Sequence, residues 1–187
     1  MNRIEKIKRI YIPLFIALII ILTVGGIIIN KSNKKTGKGG QQASFDNIIP
    51  GTSNQKDVID KLGEPVKSSS SSATPDEFKS LNPNKNNLVF YENGKVSLIK
   101  EIITYGEKRN ISEIINKYGN PTYTLYGPDS SNGFNLYVYP DIGIAYLGNQ
   151  SSGTLLEIWY FPSTNLSDFI SNYAVGYSLS TKNIPQQ

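Results

Sequence analysis

The chain has 187 residues, 39% of them apolar and 11% aromatic, with 19 basic against 15 acidic side chains and a net charge of +4. It contains no cysteine and no histidine, which excludes disulfides, thiolate metal sites, a cysteine nucleophile, an acylated-cysteine anchor, the common zinc sites and the usual general base near neutral pH. The basic excess lies at Arg3, Lys6, Lys8 and Arg9 and at Lys31, Lys34, Lys35 and Lys38; beyond position 40 acidic residues outnumber basic ones, which argues against nucleic-acid binding.

Residues 1–9 form a short basic tail. Residues 10–29 carry no charge, and ~20 apolar residues at ~1.5 Å rise span the ~30 Å hydrocarbon core of a bilayer. The run exceeds a signal-peptide core and ends in Ile27, Ile28, Ile29 and Asn30 with no small-residue cleavage pattern. A single-pass transmembrane helix over 10–30 is therefore predicted, with membrane lipid as its partner. Lys and Arg are balanced across the two flanks. The compact N-terminal cluster favours a cytoplasmic N-terminus and an extracytoplasmic domain, while Lys31 to Lys38 pull the other way. Residues 31–44 have no apolar side chain larger than Ala and read as a flexible linker.

Two similar units follow. Residues 50–65 read PGTSNQKDVIDKLGEP and residues 107–121 read EKRNISEIINKYGNP. One offset maps Val58, Ile59 and Leu62 onto Ile114, Ile115 and Tyr118, then Gly63 onto Gly119 and Pro65 onto Pro121. Thr52 with Gln55, and Asn110 with Glu113, have capping-box spacing. The apolar stripe seats a short helix on a sheet, the glycines supply a left-handed stop, and the prolines send the chain into extended structure. The pattern predicts a degenerate duplication, repeat 1 over 45–106 and repeat 2 over 107–175.

Strands follow each helix. Residues 67–87, with a serine run, Pro75 and Pro83, read as a low-complexity loop. Strands over 88–91 and 96–104 flank Asn93-Gly94, a strong hairpin signal. Further strands are predicted over 123–126, 134–139, 142–147 and 154–161. Ser163 or Thr164 caps a last helix through Tyr173, with Leu166, Phe169 and Ile170 on one face, and 176–187 form a frayed tail. Helices alternating with runs of neighbouring strands define an α+β class: a sheet with short helices on one face, the other face open to solvent or a partner.

The Pro-Gly-Thr-Ser start at 50–53, the stripe Val58, Ile59, Leu62 and the Leu-Gly-Glu-Pro end at 62–65 resemble the SmpA/OmlA domain of bacterial envelope proteins. The helix-then-sheet unit in tandem, with Phe161-Pro162 after a hydrophobic strand, is similar to β-lactamase inhibitory protein-like repeats. The resemblance implies an α+β fold used for protein–protein contact in the envelope, without catalysis. The acylated cysteine of those lipoproteins is missing here, and the apolar run takes its place.

Catalytic constellations are weak. Asp57 and Asp60 read as solvated helix charges, Glu64 has no partner, and Asp129, paired on paper with Asp141, lies in a turn sequence. No catalytic, cofactor-binding or metal-binding residue is expected. The candidate partner-binding residues are Tyr137, Tyr139, Tyr146 and Trp159. Alternation puts Tyr137 and Tyr139 on one face, and Tyr and Trp anchor interfaces; the competing reading packs them under the helices. The expected function is a membrane-anchored extracytoplasmic binding or scaffold module with an envelope protein as partner. The alternative is a sensor, regulatory or inhibitor domain at the cell surface. A tail of about nine residues leaves little for a sensor to signal through.

Overall fold

Two helices of matching design open the two halves of the chain. α1 spans Gln55–Leu62 and α2 spans Ile111–Tyr118. The computed structural model describes residues 41–69, 74–104, 107 and 109–181. The predicted basic tail, the transmembrane helix and the linker up to residue 40 lie outside them. Among the described residues no helix is long and apolar enough to cross a membrane.

Each helix begins at an asparagine in extended backbone. Asn54 Oδ1 accepts from the Asp57 N–H at 3.1 Å, and the Asp57 carboxylate accepts from the Asn54 N–H at 2.8 Å. Asn110 Oδ1 accepts from the Ser112 N–H at 2.9 Å, and Glu113 accepts from the Asn110 N–H at 3.3 Å. The box expected at Thr52 and Gln55 is thus displaced to Asn54 and Asp57. The reason is local: the Thr52 and Ser53 N–H groups both bond back to Ile49 O, at 3.1 and 2.9 Å, so the chain is still turning there.

The helix stops match as well. Gly63 has φ 80 and ψ −170, Gly119 φ 83 and ψ −170. This is not the left-handed helical conformation expected from sequence. Positive φ with extended ψ belongs almost solely to glycine, and it sends the chain from the helix directly into an extended segment. Replacing Asn54 or Asn110 by Ala should each cost ~1 kcal/mol. In urea unfolding the midpoint should fall with the slope unchanged; an unaltered midpoint would refute the capping role.

The strands are β1 (Asp76–Phe78), β2 (Asn87–Glu92), β3 (Lys95–Ile102), β4 (Tyr123–Leu125), β5 (Asn135–Tyr139), β6 (Ile144–Asn149) and β7 (Thr154–Tyr160). They form one sheet in the order β1-β2-β3-β7-β6-β5-β4, antiparallel throughout. The β2–β3 turn has Asn93 at φ 50 and Gly94 at φ 74, the double left-handed turn whose twist suits a two-residue hairpin. β3 and β7 join the halves, with Ile99 opposite Tyr160 and Ile102 opposite Glu157.

β1 is a strand where the sequence suggested only loop. Its serine, proline and acidic surroundings hide it, and tertiary contacts hold it. Asp76, 1% exposed, accepts from the Ser69 N–H at 2.7 Å and from Gln55 Nε2 of α1 at 3.0 Å. Lys67 forms a single antiparallel bridge with Glu77 outside it.

Both sheet faces carry a core. Val58 of α1 and Ile111 and Ile114 of α2 pack with Val89, Ile99 and Ile158 on one face. On the other, Leu98, Leu136, Val138, Trp159 and Phe161 pack with Phe169, which belongs to α3 (Leu166–Asn172). The open second face expected from sequence is therefore largely covered. Asn165, not Ser163 or Thr164, caps α3, accepting from the Asp168 N–H at 3.0 Å; Thr164 is occupied, its N–H bonded to Pro140 O at 3.0 Å.

The boundaries shift at both ends. Ala43 is buried and its N–H bonds Ile142 O at 2.8 Å, so ordered packing begins inside the expected linker. Of the tail over 176–187 expected to fray, residues 182–187 lie outside the described residues, and Tyr177 and Ser178 are docked instead. Tyr177 stands edge-on to Trp159 at 6.2 Å, and Ser178 exchanges backbone bonds of 2.8 and 2.9 Å with Tyr126.

Candidate functional site: a groove between the β2–β3 hairpin and the last helix

Sequence put partner binding on four aromatic residues, and the structure buries all four. Tyr146 is fully buried, and Tyr137, Tyr139 and Trp159 expose at most 5%. Tyr137 stacks on Tyr146 at 4.8 Å, Tyr139 tilts against Tyr146 at 6.4 Å and against Tyr118 of α2 at 6.2 Å. The Tyr139 hydroxyl donates to Gly119 O at 2.8 Å, satisfying a carbonyl at the end of α2. The alternation reading is right, since Tyr137 and Tyr139 share one face while Leu136 and Val138 line the other. The shared face, however, lies beneath the helices. Trp159 is apart from the tyrosines, on the opposite face with Phe169. These residues are core as the molecule stands, and they offer no standing contact surface.

An accessible concavity lies beside Trp159, where α3 stops short of the hairpin. β2 alternates, with Val89 and Tyr91 turned to the first core and Phe90 to the second. Phe90 pairs with Leu98 and Leu88 with Lys100. At Phe90/Tyr91 the register shifts, which leaves Ser97 as the extra residue of a bulge and bends the strand. The C-terminal end of α3 supplies Ser171, Asn172 and Tyr173. Phe90, Glu92, Leu98, Lys100 and Tyr173 thus surround a groove of 610 Å³, within the size range of small-ligand sites.

The electrostatics of the groove are two-sided. Lys100 Nζ lies 3.8 Å over the Trp159 ring, a cation–π contact. Burial lowers the Lys100 ammonium from its ordinary range, against a smaller raising effect of Glu157. At the other end Glu92 is exposed. Tyr173 is raised by burial and, secondarily, by the Glu92 charge.

A second polar cluster joins the halves on the opposite face. Glu101, 8% exposed, accepts from Arg109 and, at 2.8 Å, from the Tyr160 hydroxyl. Both carboxylate oxygens are thereby engaged, which makes it a structural tie. Asp57 caps α1 and Asp60 pairs with Lys56, as solvated helix charges should. Among the described residues no cluster of acidic residues could hold a metal ion.

Burial of phenols predicts alkali sensitivity. Burial, with smaller contributions from Glu157 and Asp129, pushes Tyr177 up to about 12. Its neutral form is therefore favoured in the folded state. The stabilisation is complete below the unfolded value of ~10 and is lost as pH rises through about 12. Melting temperature should fall across that window, and Tyr177→Phe should flatten the fall; an identical profile in both proteins would contradict the docking of Tyr177.

Sequence reasoning missed the groove. The alternation of Leu88, Phe90 and Glu92 was readable, but neither the bulge at Ser97 nor the place where α3 ends leaves a local signal.

The described residues define an α+β domain built on a seven-stranded antiparallel sheet with three short helices. No protein-family model matches the chain, and no curated protein matches it. Among solved structures it is similar to a DUF4309 family protein, YjgB, from Bacillus subtilis subsp. subtilis strain 168, at 16% identity, covering 66% of this chain and 88% of that one, with a TM-score of 0.46.

Proposed function

We propose that this chain is a membrane-anchored, extracytoplasmic, non-catalytic module that binds or scaffolds a protein partner in the bacterial cell envelope. The observation that carries the reading is the groove lined by Phe90, Glu92, Lys100 and Tyr173: half-buried aromatic rings between charged ends, with Leu98 buried beneath them, held by an antiparallel hairpin and a helix end. The uncharged run over 10–29 supplies the anchor, inserting a helix through the membrane with the N-terminus cytoplasmic.

The domain is a tandem duplication. The offset relating Asn54 to Asn110, Asp57 to Glu113 and Gly63 to Gly119 joins positions of like geometry in two helices. The same offset sets the Lys67 bridge against β4, so that Lys67, β1, β2 and β3 correspond to β4, β5, β6 and β7, with β3 and β7 meeting at the centre. Each half contributes one helix to the same face, which leaves α3 and the hairpin to shape the groove on the other.

The test is photocrosslinking in intact cells. A photoreactive residue at Ser97, which lines the groove, should give a discrete adduct that Phe90→Asp abolishes. The same probe at exposed Lys56 of α1 should not give it. An adduct formed equally from both positions, or none from Ser97, would remove the groove as the interface. Recovery of the chain in the supernatant after membranes are pelleted would remove the anchor.

A further inference from the structure

The reading of the groove as a protein-binding surface leaves open what segment of a partner it takes, and the charges along β2 and β3 address that. Leu88, Phe90 and Glu92 alternate along β2 and so line one face. Lys100 stands opposite Leu88, and Leu98 opposite Phe90. Along the groove, the order is therefore a cation at Lys100, an apolar floor at the half-buried Phe90 over the buried Leu98, and an anion at Glu92. Four residues of β2 separate the two charged ends, about 13 Å at ~3.3 Å per residue.

Among the described residues neither charge forms an ion pair: the pairs are Lys56–Asp60, Lys67–Glu77 and Arg109–Glu101. Glu157, the carboxylate nearest in effect to Lys100, is engaged by the Trp159 Nε1–H at 2.7 Å. Lys100 is half-buried, held on the Trp159 face, and lacks a carboxylate acceptor. An incoming carboxylate there gains a charge-assisted hydrogen bond in a partly desolvated position.

Resting on the protein-binding reading above, we propose that the groove binds an extended segment of a partner protein with an acidic, an apolar and a basic side chain at alternate positions, spaced i, i+2, i+4. The acidic group accepts from Lys100 Nζ, the apolar one lies on Phe90, and the basic one donates to the Glu92 carboxylate. The spacing follows from matched rise: an extended peptide advances by the same ~3.3 Å per residue as the strand beneath it, and its alternate side chains face one way.

The chain contains a single tryptophan, Trp159, directly under Lys100, so its emission reports occupancy. The full-length chain in detergent is titrated with acetyl-Glu-Thr-Leu-Thr-Lys-amide and with the neutral acetyl-Gln-Thr-Leu-Thr-Gln-amide. Wild type should bind the charged peptide about tenfold more tightly, the effect of losing charge-assisted contacts. Glu92→Lys, on an exposed side chain, should transfer the preference to the peptide with Glu at both ends, and Lys100→Glu to the one with Lys at both ends. Should Lys100→Glu fail to fold, the Glu92→Lys arm decides alone. Equal affinity of wild type for charged and neutral peptides, or unchanged selectivity in Glu92→Lys, overturns the charge pattern. If no pentapeptide binds while the Ser97 adduct persists in cells, the extended-segment chemistry is wrong and the interface stands. Loss of both removes the protein-binding reading itself.

Discussion

Gly143→Ala should lower stability by ~3 kcal/mol and the melting temperature by ~10 °C. Gly143 closes the turn after Pro140–Ile142 with φ 69 and ψ 39, where a side chain costs ~1–2 kcal/mol for conformation alone. An added Cβ would stand 2.1 Å from Phe161 O, a backbone atom with little freedom to retreat. The Phe161 N–H bonds Gly143 O at 3.0 Å, and the Phe161 ring is fully buried, 4.5 Å from that of Phe169. Gly153→Ala is the control, with φ 73 and nothing within 4 Å of the added carbon. It should show only the conformational cost. Equal melting temperatures for the two variants would contradict the close approach of the β6 entry to the end of β7.

Replacing Tyr137 and Tyr139 together by Ser should leave the domain largely unfolded at 25 °C. Truncating one buried aromatic costs ~3–5 kcal/mol, against a total stability of ~5–15 kcal/mol for a domain. The two losses will not add simply, because both rings pack on Tyr146. Tyr139→Phe separates the terms: it keeps the ring and removes only the bond to Gly119 O, so ~1 kcal/mol is expected. Circular dichroism during thermal and urea unfolding reads all three. A double variant that melts like wild type yet loses its partner adduct would return these tyrosines to the surface role that sequence suggested.

The contrast between those tyrosines and the groove bears on how this fold is used. A sheet cored on both faces has no spare face to offer. On the binding reading proposed above, contact surface comes from where covering elements end. Here α3 ends at Asn172 beside the hairpin, and the bulge at Ser97 bends β3 at the same place. The groove is a consequence of incomplete cover: Phe90 is half-buried at its edge, while Leu98 beneath it belongs to the core.

Much was legible in the sequence because it is encoded locally. A polar cap with its partner three residues on, an apolar stripe, glycine and then proline mark a helix and its exit locally; α1 and α2 follow that pattern, though a turn at Thr52 moves the first cap from Thr52 and Gln55 to Asn54 and Asp57. Asn93-Gly94 specified the hairpin, because few other pairs accept two consecutive left-handed residues. Alternation sorted Tyr137 and Tyr139 from Leu136 and Val138. Only the tertiary structure decided which side of that alternation is covered, since period two is the same for a face under helices and a face open to water. It also decided that Asp76 begins a strand, that Tyr177 and Ser178 dock, and that a cation and an anion about four strand residues apart border one groove. Each of these depends on contacts between segments distant in the chain, and no local pattern of residues carries them.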